Sequence, residues 1–113
     1  MKKEKIRVDI HSVEILFLYG TTKELERELG CSINGRGGCF PKTGIIYLVK
    51  DKKINRVGIL GTLTHEICHL VDILAERRGF ERERKHKAYI HTYLFRQASV
   101  KLGLLKLTRT EGN

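Results

Sequence analysis

Thr62-Leu63-Thr64-His65-Glu66-Ile67-Cys68-His69-Leu70-Val71-Asp72 is the stretch on which the reading of this chain turns. At about 100° per residue, Ile59, Leu60, Leu63, Ile67, Leu70, Val71 and Leu74 collect on one broad side of a helix. Thr62, His65, Glu66, His69 and Asp72 collect on the other. The spacing predicts a helix from about Arg56 to Ala75 or a few residues beyond, its apolar back on a core and its polar stripe facing a cleft. A solvated surface stripe would carry Lys and Arg, and none lies between Val57 and Leu74.

The stripe has the donor spacing of a metal site. Residues four apart on a helix share a face one turn up, so His65 and His69 can offer two imidazole nitrogens to one metal ion. Glu66 sits about 100° round from His65, within reach of a water on that metal without being a ligand itself. A hydrolytic zinc site takes three protein ligands and keeps one position open, so the motif supplies two of the three. For the third, His86 comes first: it follows His69 at a distance that lets a second helix return alongside. Glu83 is the next candidate, since carboxylates complete zinc sites as readily as imidazoles. Asp72 shares the face of both motif histidines and reads either as a ligand or as an acceptor for a ligand's free N–H. Cys68 falls toward the apolar side and reads as packing. His91 is expected to point away from the site, and His11 has no clear link to it.

Working outward, Ile6 to Tyr19 reads as a strand, bent near His11-Ser12 and ended by Gly20. Thr21 or Thr22 caps a short helix through Leu29, with Gly30 as its stop. Cys31 to Gly44 is loop-like, and Pro41-Lys42-Thr43-Gly44 forms the turn of a hairpin between Cys39-Phe40 and a strand over Ile45 to Val49. Its glycines lack the GK[ST] ending of a phosphate-binding loop. Gly58 and Gly61 mark close packing of the long helix on the strands. A second long helix is expected from about Glu81 to Leu102, with His86, Tyr89, Ile90, Tyr93, Gln97 and Val100 on one side. Tyr89 and Tyr93 are therefore candidates to stabilise an oxyanion, against the plainer role of core aromatics. The fold class is α+β: a short antiparallel or mixed sheet packed on the motif helix and a second long helix.

The 113 residues make one domain over 1–113, with 1–5 and 108–113 read as flexible ends. With 41% hydrophobic and 31% charged residues, the composition excludes a disordered chain. The net charge of +9 admits nucleic acid as a partner, but no aromatic-interleaved basic motif stands out, so a solvated basic surface is the plainer reading. Asp9, His11 and Glu14 interrupt what would be the apolar core of a signal peptide. No uninterrupted apolar run approaches membrane-spanning length, so no membrane is expected. Three cysteines without a CxxC pair predict reduced thiols and a cytoplasmic setting.

The stretch from Thr62 to Asp72 also resembles the active-site helix of zincin metallopeptidases. Ala88-Tyr89-Ile90-His91-Thr92-Tyr93-Leu94 is similar to the second helix of small metallopeptidases of phage and prophage type, with their E..AY...YL pattern. Size and element order resemble the minimal gluzincins over roughly residues 38 to 95, although only the HExxH part is specific. The resemblance implies a zincin-like domain, a bound Zn2+ and a glutamate ligand on the second helix. Here that region reads Glu83, Arg84, Lys85, His86, Lys87, which leaves His86 or Glu83 as substitute. SprT-like zincins are similar in taking a histidine as third ligand and in working near DNA, which would suit the basic charge.

The expected function is zinc-dependent hydrolysis of a peptide or protein substrate, with Glu66 as general base. The strand Ile45 to Val49 is expected to offer an edge for an extended peptide. The alternative is a zinc-stabilised binding module whose basic surface contacts nucleic acid or a host protein. A structural protein without metal is the third reading.

Overall fold

The computed structural model describes residues 1–8, 13–51, 56–78 and 84–104, without the side chains of residues 13, 56, 75, 77, 78 and 84–86. The fold is α+β, three helices on a four-stranded mixed sheet. Strand β1 (Lys2–Val8) pairs antiparallel with β2 (Val13–Gly20). The single bent strand expected over Ile6 to Tyr19 is thus two strands. Lys2 to Lys5, expected to lie loose, form the first half of β1. Helix α1 (Thr22–Leu29) follows, then β3 (Gly37–Phe40), β4 (Ile45–Val49), α2 (Arg56–Arg78) and α3 (Arg84–Lys101). The sheet order is β1-β2-β4-β3, with β2 and β4 parallel.

Local chemistry explains the short elements. Thr21 caps α1: its hydroxyl accepts from the Glu24 N–H while Glu24 accepts from the Thr21 N–H, a reciprocal box that satisfies two otherwise orphaned donors. Gly30 ends the helix at φ 71°, a left-handed turn that glycine adopts without steric cost. Asp51, just past β4, accepts from both the N–H and the hydroxyl of Thr22, tying the end of that strand to the start of α1.

Because side chains alternate along strands, the sheet has two apolar faces. Ile6, Val8, Ile15, Phe17, Ile46 and Leu48 face α2 and α3, where they meet Leu63, Ile67, Leu70, Ile90, Leu94 and Ala98. Leu18, Tyr47 and Val49 face the other way, over Leu25 of α1 and Ile33. The main core therefore lies between sheet and long helices. Leu63, Ile67 and Leu70 are fully buried there, each stabilising the fold by about 1.5–3 kcal/mol. Val57–Leu74 is long and apolar enough, by length and composition, to cross a membrane; here it is the helix that packs on β3, β4 and α3.

Two strand and helix expectations change. Strand β4 is an interior strand, hydrogen-bonded to β2 on one side and β3 on the other, so the sheet's margin near α2 is β3. Gly61 has open space where a side chain would be. The close approach is made instead by a strand glycine: a Cβ on Gly37 would stand 2.8 Å from the Thr62 methyl.

Candidate functional site

Helix α2 runs along the marginal strand. Thr62 lies against Gly37, and Glu66 stands close enough to Cys39 for its charge to act on the thiol. The spacings match, since four helical residues rise about 6.0 Å and two strand residues about 6.6 Å. Glu66 is accordingly only 9% exposed. It sits at the boundary of the helix: Leu63, Ile67 and Leu70 lie on its core side, and His65 and His69 lie about 60–100° to its other side. Both histidines are exposed.

The two rings meet edge to face, with centroids 4.4 Å apart and planes at 85°. Their Nε2 atoms are 2.9 Å apart, within hydrogen-bond distance, so one ring donates to the other. Two nitrogens at about 2.05 Å from one tetrahedral zinc would stand roughly 3.3 Å apart. A few tenths of an ångström of side-chain adjustment converts the one arrangement into the other. The histidine pair fits two positions of a zinc site.

The third position is not made by any described residue: none completes a metal-sized group of His, Cys, Asp and Glu with this pair. Asp72 lies on the histidine face, but its carboxylate accepts from the Lys87 ammonium at 3.1 Å. Cys39 is a poor ligand, because burial first and the neighbouring Glu66 carboxylate second push its thiol up to about 11. Burial, and then the same carboxylate among nearby groups, raises the Tyr47 phenol too. Glu83 and His11 lie outside the described residues, as does the side chain of His86.

Helix α3 turns otherwise than expected. Its core face is Ile90, Leu94, Ala98 and Leu102, while Tyr89 is 51% and Val100 58% exposed. Tyr89 stacks on Tyr93 and lies about 200° round from Lys87, the residue that reaches α2. Tyr93, its partner ring, is partly buried against the main core. His91, expected to point away, has a buried Nε2 and stacks on Phe95. Cys68, expected to pack, is exposed.

Sequence reasoning missed Cys39 and Lys87. Alternation along β3 would have placed Cys39 on the same face as Gly37, but nothing local said that α2 lies over it. A pocket of about 170 Å³ lined by Met1, Lys2, Tyr19, Gly20, Glu24 and Lys50 contains none of these groups. No family model, curated protein or solved structure matches the chain.

Proposed function

We propose that the chain is a zinc-dependent metallopeptidase of the HExxH type. One observation carries this reading: the His65 and His69 Nε2 atoms converge to 2.9 Å beside Glu66, and Glu66 abuts the marginal strand β3. A zinc ion held there would polarise a scissile carbonyl and lower the pKa of its water toward neutrality. His65 and His69 would hold it through Nε2, with the third ligand supplied from the 79–86 region, where Glu83 and His86 stand.

The chain's own residues supply the rest. An extended peptide would pair with the outer edge of β3 by main-chain hydrogen bonds, along the strand that Glu66 abuts. Glu66 accepts the proton of the attacking water and later gives it to the leaving amine. The Cys39 thiol, kept protonated by burial and by the Glu66 charge, stands beside the carboxylate on the strand on which the substrate is laid.

The test joins metal content to cleavage. Zinc per chain is measured for the wild type, His65→Ala and His69→Ala, and cleavage of an unstructured protein is followed for the wild type and Glu66→Gln. The expected result is one zinc, lost in either histidine variant, and cleavage that falls at least a hundredfold in Glu66→Gln with zinc retained. Cleavage that survives Glu66→Gln, or a wild type that takes up no zinc, would falsify the proposal. Zinc uptake without cleavage would favour the zinc-stabilised binding module.

A further inference from the structure

Three strand ends meet beside the start of helix α1. Lys2 of β1 stands opposite Tyr19 of β2, and Gly20, which ends β2, stands opposite Val49 of β4. Lys50, just past β4, donates its N–H to the Gly20 carbonyl at 2.7 Å. These ends and Glu24 of α1 frame the pocket of about 170 Å³ lined by Met1, Lys2, Tyr19, Gly20, Glu24 and Lys50. Its one acid is already engaged. The Glu24 carboxylate accepts from the chain's amino group at 2.9 Å and from the Thr21 N–H at 3.0 Å. The two lysines are ion-paired to none of the described residues, and the Tyr19 hydroxyl is hydrogen-bonded to none of them. Burial of Tyr19 raises its phenol, so it remains a proton donor at neutral pH. At the start of α1 the Thr22 N–H is taken by Asp51 and the Glu24 N–H by the Thr21 hydroxyl, so a ligand here is held by side chains rather than by the helix end.

We propose that this pocket binds a phosphate group, free or as the monoester of a small molecule. The match is one of charge and donor number. A phosphate monoester carries a charge of about −1.5 to −2 at neutral pH and offers three acceptor oxygens. The pocket answers with the Lys2 and Lys50 ammonium groups and the Tyr19 hydroxyl. A carboxylate, with a single charge, neutralises only one of the two lysines. A metal cation is repelled by both, and an apolar ligand would strip water from them without replacing it. The volume falls below the roughly 300–1,000 Å³ of sites for drug-sized ligands, so an ester that fits carries only a few carbons. The pocket does not depend on the hydrolytic reading, since His65, Glu66 and His69 take no part in its lining.

Isothermal titration of the full chain with inorganic phosphate and with glycerol 3-phosphate, at fixed ionic strength, tests this. Saturable binding of at least one of the two is expected, and the tighter one identifies the occupant as the free ion or the ester. Binding should be tighter at about pH 7.5 than at about pH 5.5, because the second phosphate proton is lost near pH 6. Acetate at equal concentration should not compete. Lys50→Ala should weaken binding at least about tenfold, the loss of one charge-assisted hydrogen bond, and Tyr19→Phe by about two- to tenfold. Lys42→Ala, the same change of net charge at an exposed turn residue outside the pocket, should bind as the wild type does. So should His65→Ala/His69→Ala, which removes any phosphate held by a metal on the histidines. The proposal is overturned if neither phosphate binds saturably, or if the double histidine variant abolishes binding. It also falls if Lys42→Ala weakens binding as much as Lys50→Ala does, which would mean an adventitious ion only, drawn by net charge.

Discussion

The Cys39 thiol on β3 and the Glu66 carboxylate on α2 are neighbours where the motif helix crosses the margin of the sheet. That contact distinguishes Cys39 chemically from the other two cysteines. Cys31 and Cys68 are exposed, whereas burial and the adjacent carboxylate hold the Cys39 thiol up near 11. A thiol reacts as its thiolate, so at pH 8 iodoacetamide should modify Cys31 and Cys68 well ahead of Cys39. Glu66→Gln removes the smaller of the two causes and should speed Cys39 modestly, since burial remains. Peptide mass spectrometry over a time course reads both. Equal rates at Cys39 and Cys31 in the wild type would show that the contact does not persist in solution.

Two glycines should respond in opposite directions to alanine. A Cβ on Gly37 would stand 2.8 Å from the Thr62 methyl and 2.8 Å from the Tyr47 carbonyl oxygen, and the carbonyl belongs to the strand ladder and cannot swing away. Gly37→Ala should destabilise by about 1–3 kcal/mol and, by lifting β3 from α2, should hasten alkylation of Cys39. Gly61 lies in the helix interior with nothing within 4 Å of its missing Cβ. Gly61→Ala should stabilise by about 0.8–1 kcal/mol. Urea unfolding of both variants decides, and a destabilising Gly61→Ala would mean that this face of α2 has a packing partner.

What could be read from the chain was local. A threonine cap at Thr21 or Thr22, the Pro41–Gly44 turn and the apolar side of α2 all follow from spacings within one or two turns, and the structure adds that Thr21 is the cap, boxed with Glu24. What could not be read was pairing and depth. That β4 lies inside the sheet and β3 at its margin depends on Leu16 to Gly20 pairing with Ile45 to Val49, some thirty residues on. Glu66 looked like one of five equivalent polar positions, yet the strand above buries it and leaves the histidines out. On α3 the expected side grouped Ile90 with Tyr89, Tyr93 and Val100, whereas the core takes Ile90, Leu94 and Ala98, with Tyr93 partly buried against it and Tyr89 and Val100 exposed.

Acid should expose the role of Glu24. The Thr21 N–H, the chain's amino group at 2.9 Å and the Thr21 hydroxyl together lower its carboxyl from 4.5 to about 2. A depressed carboxylate contributes its full stability above its unfolded value and loses it as pH falls through the folded one. The contribution should therefore be complete above 4.5 and fade toward about 2. Stability measured by urea unfolding across that window should fall more steeply for the wild type than for Glu24→Gln, with the two curves converging near the acid end. Because the group is solvent-facing, high salt should shrink the difference. Parallel curves would mean that the cap does not discriminate between the two protonation states.

Two buried polar atoms on α3, His91 Nε2 and Ser99 Oγ, have no hydrogen-bond partner among the described residues, and Ser99 is fully buried. A buried polar atom left unpaired costs about 1–3 kcal/mol, whereas an apolar replacement of the same shape restores that loss. Ser99→Ala removes only the hydroxyl and should stabilise by about 1 kcal/mol. His91→Phe keeps a ring in the stack on Phe95, whose planes lie at 6°, and should also gain stability. The two sites are two turns apart on one helix and share no partner given by the structure, so the gains should add to within about 0.5 kcal/mol in the double variant. Thermal and urea unfolding of the two single variants and the double variant provide the cycle. A loss of stability in either single variant would assign that atom a hydrogen-bonding role in holding α3 on the sheet.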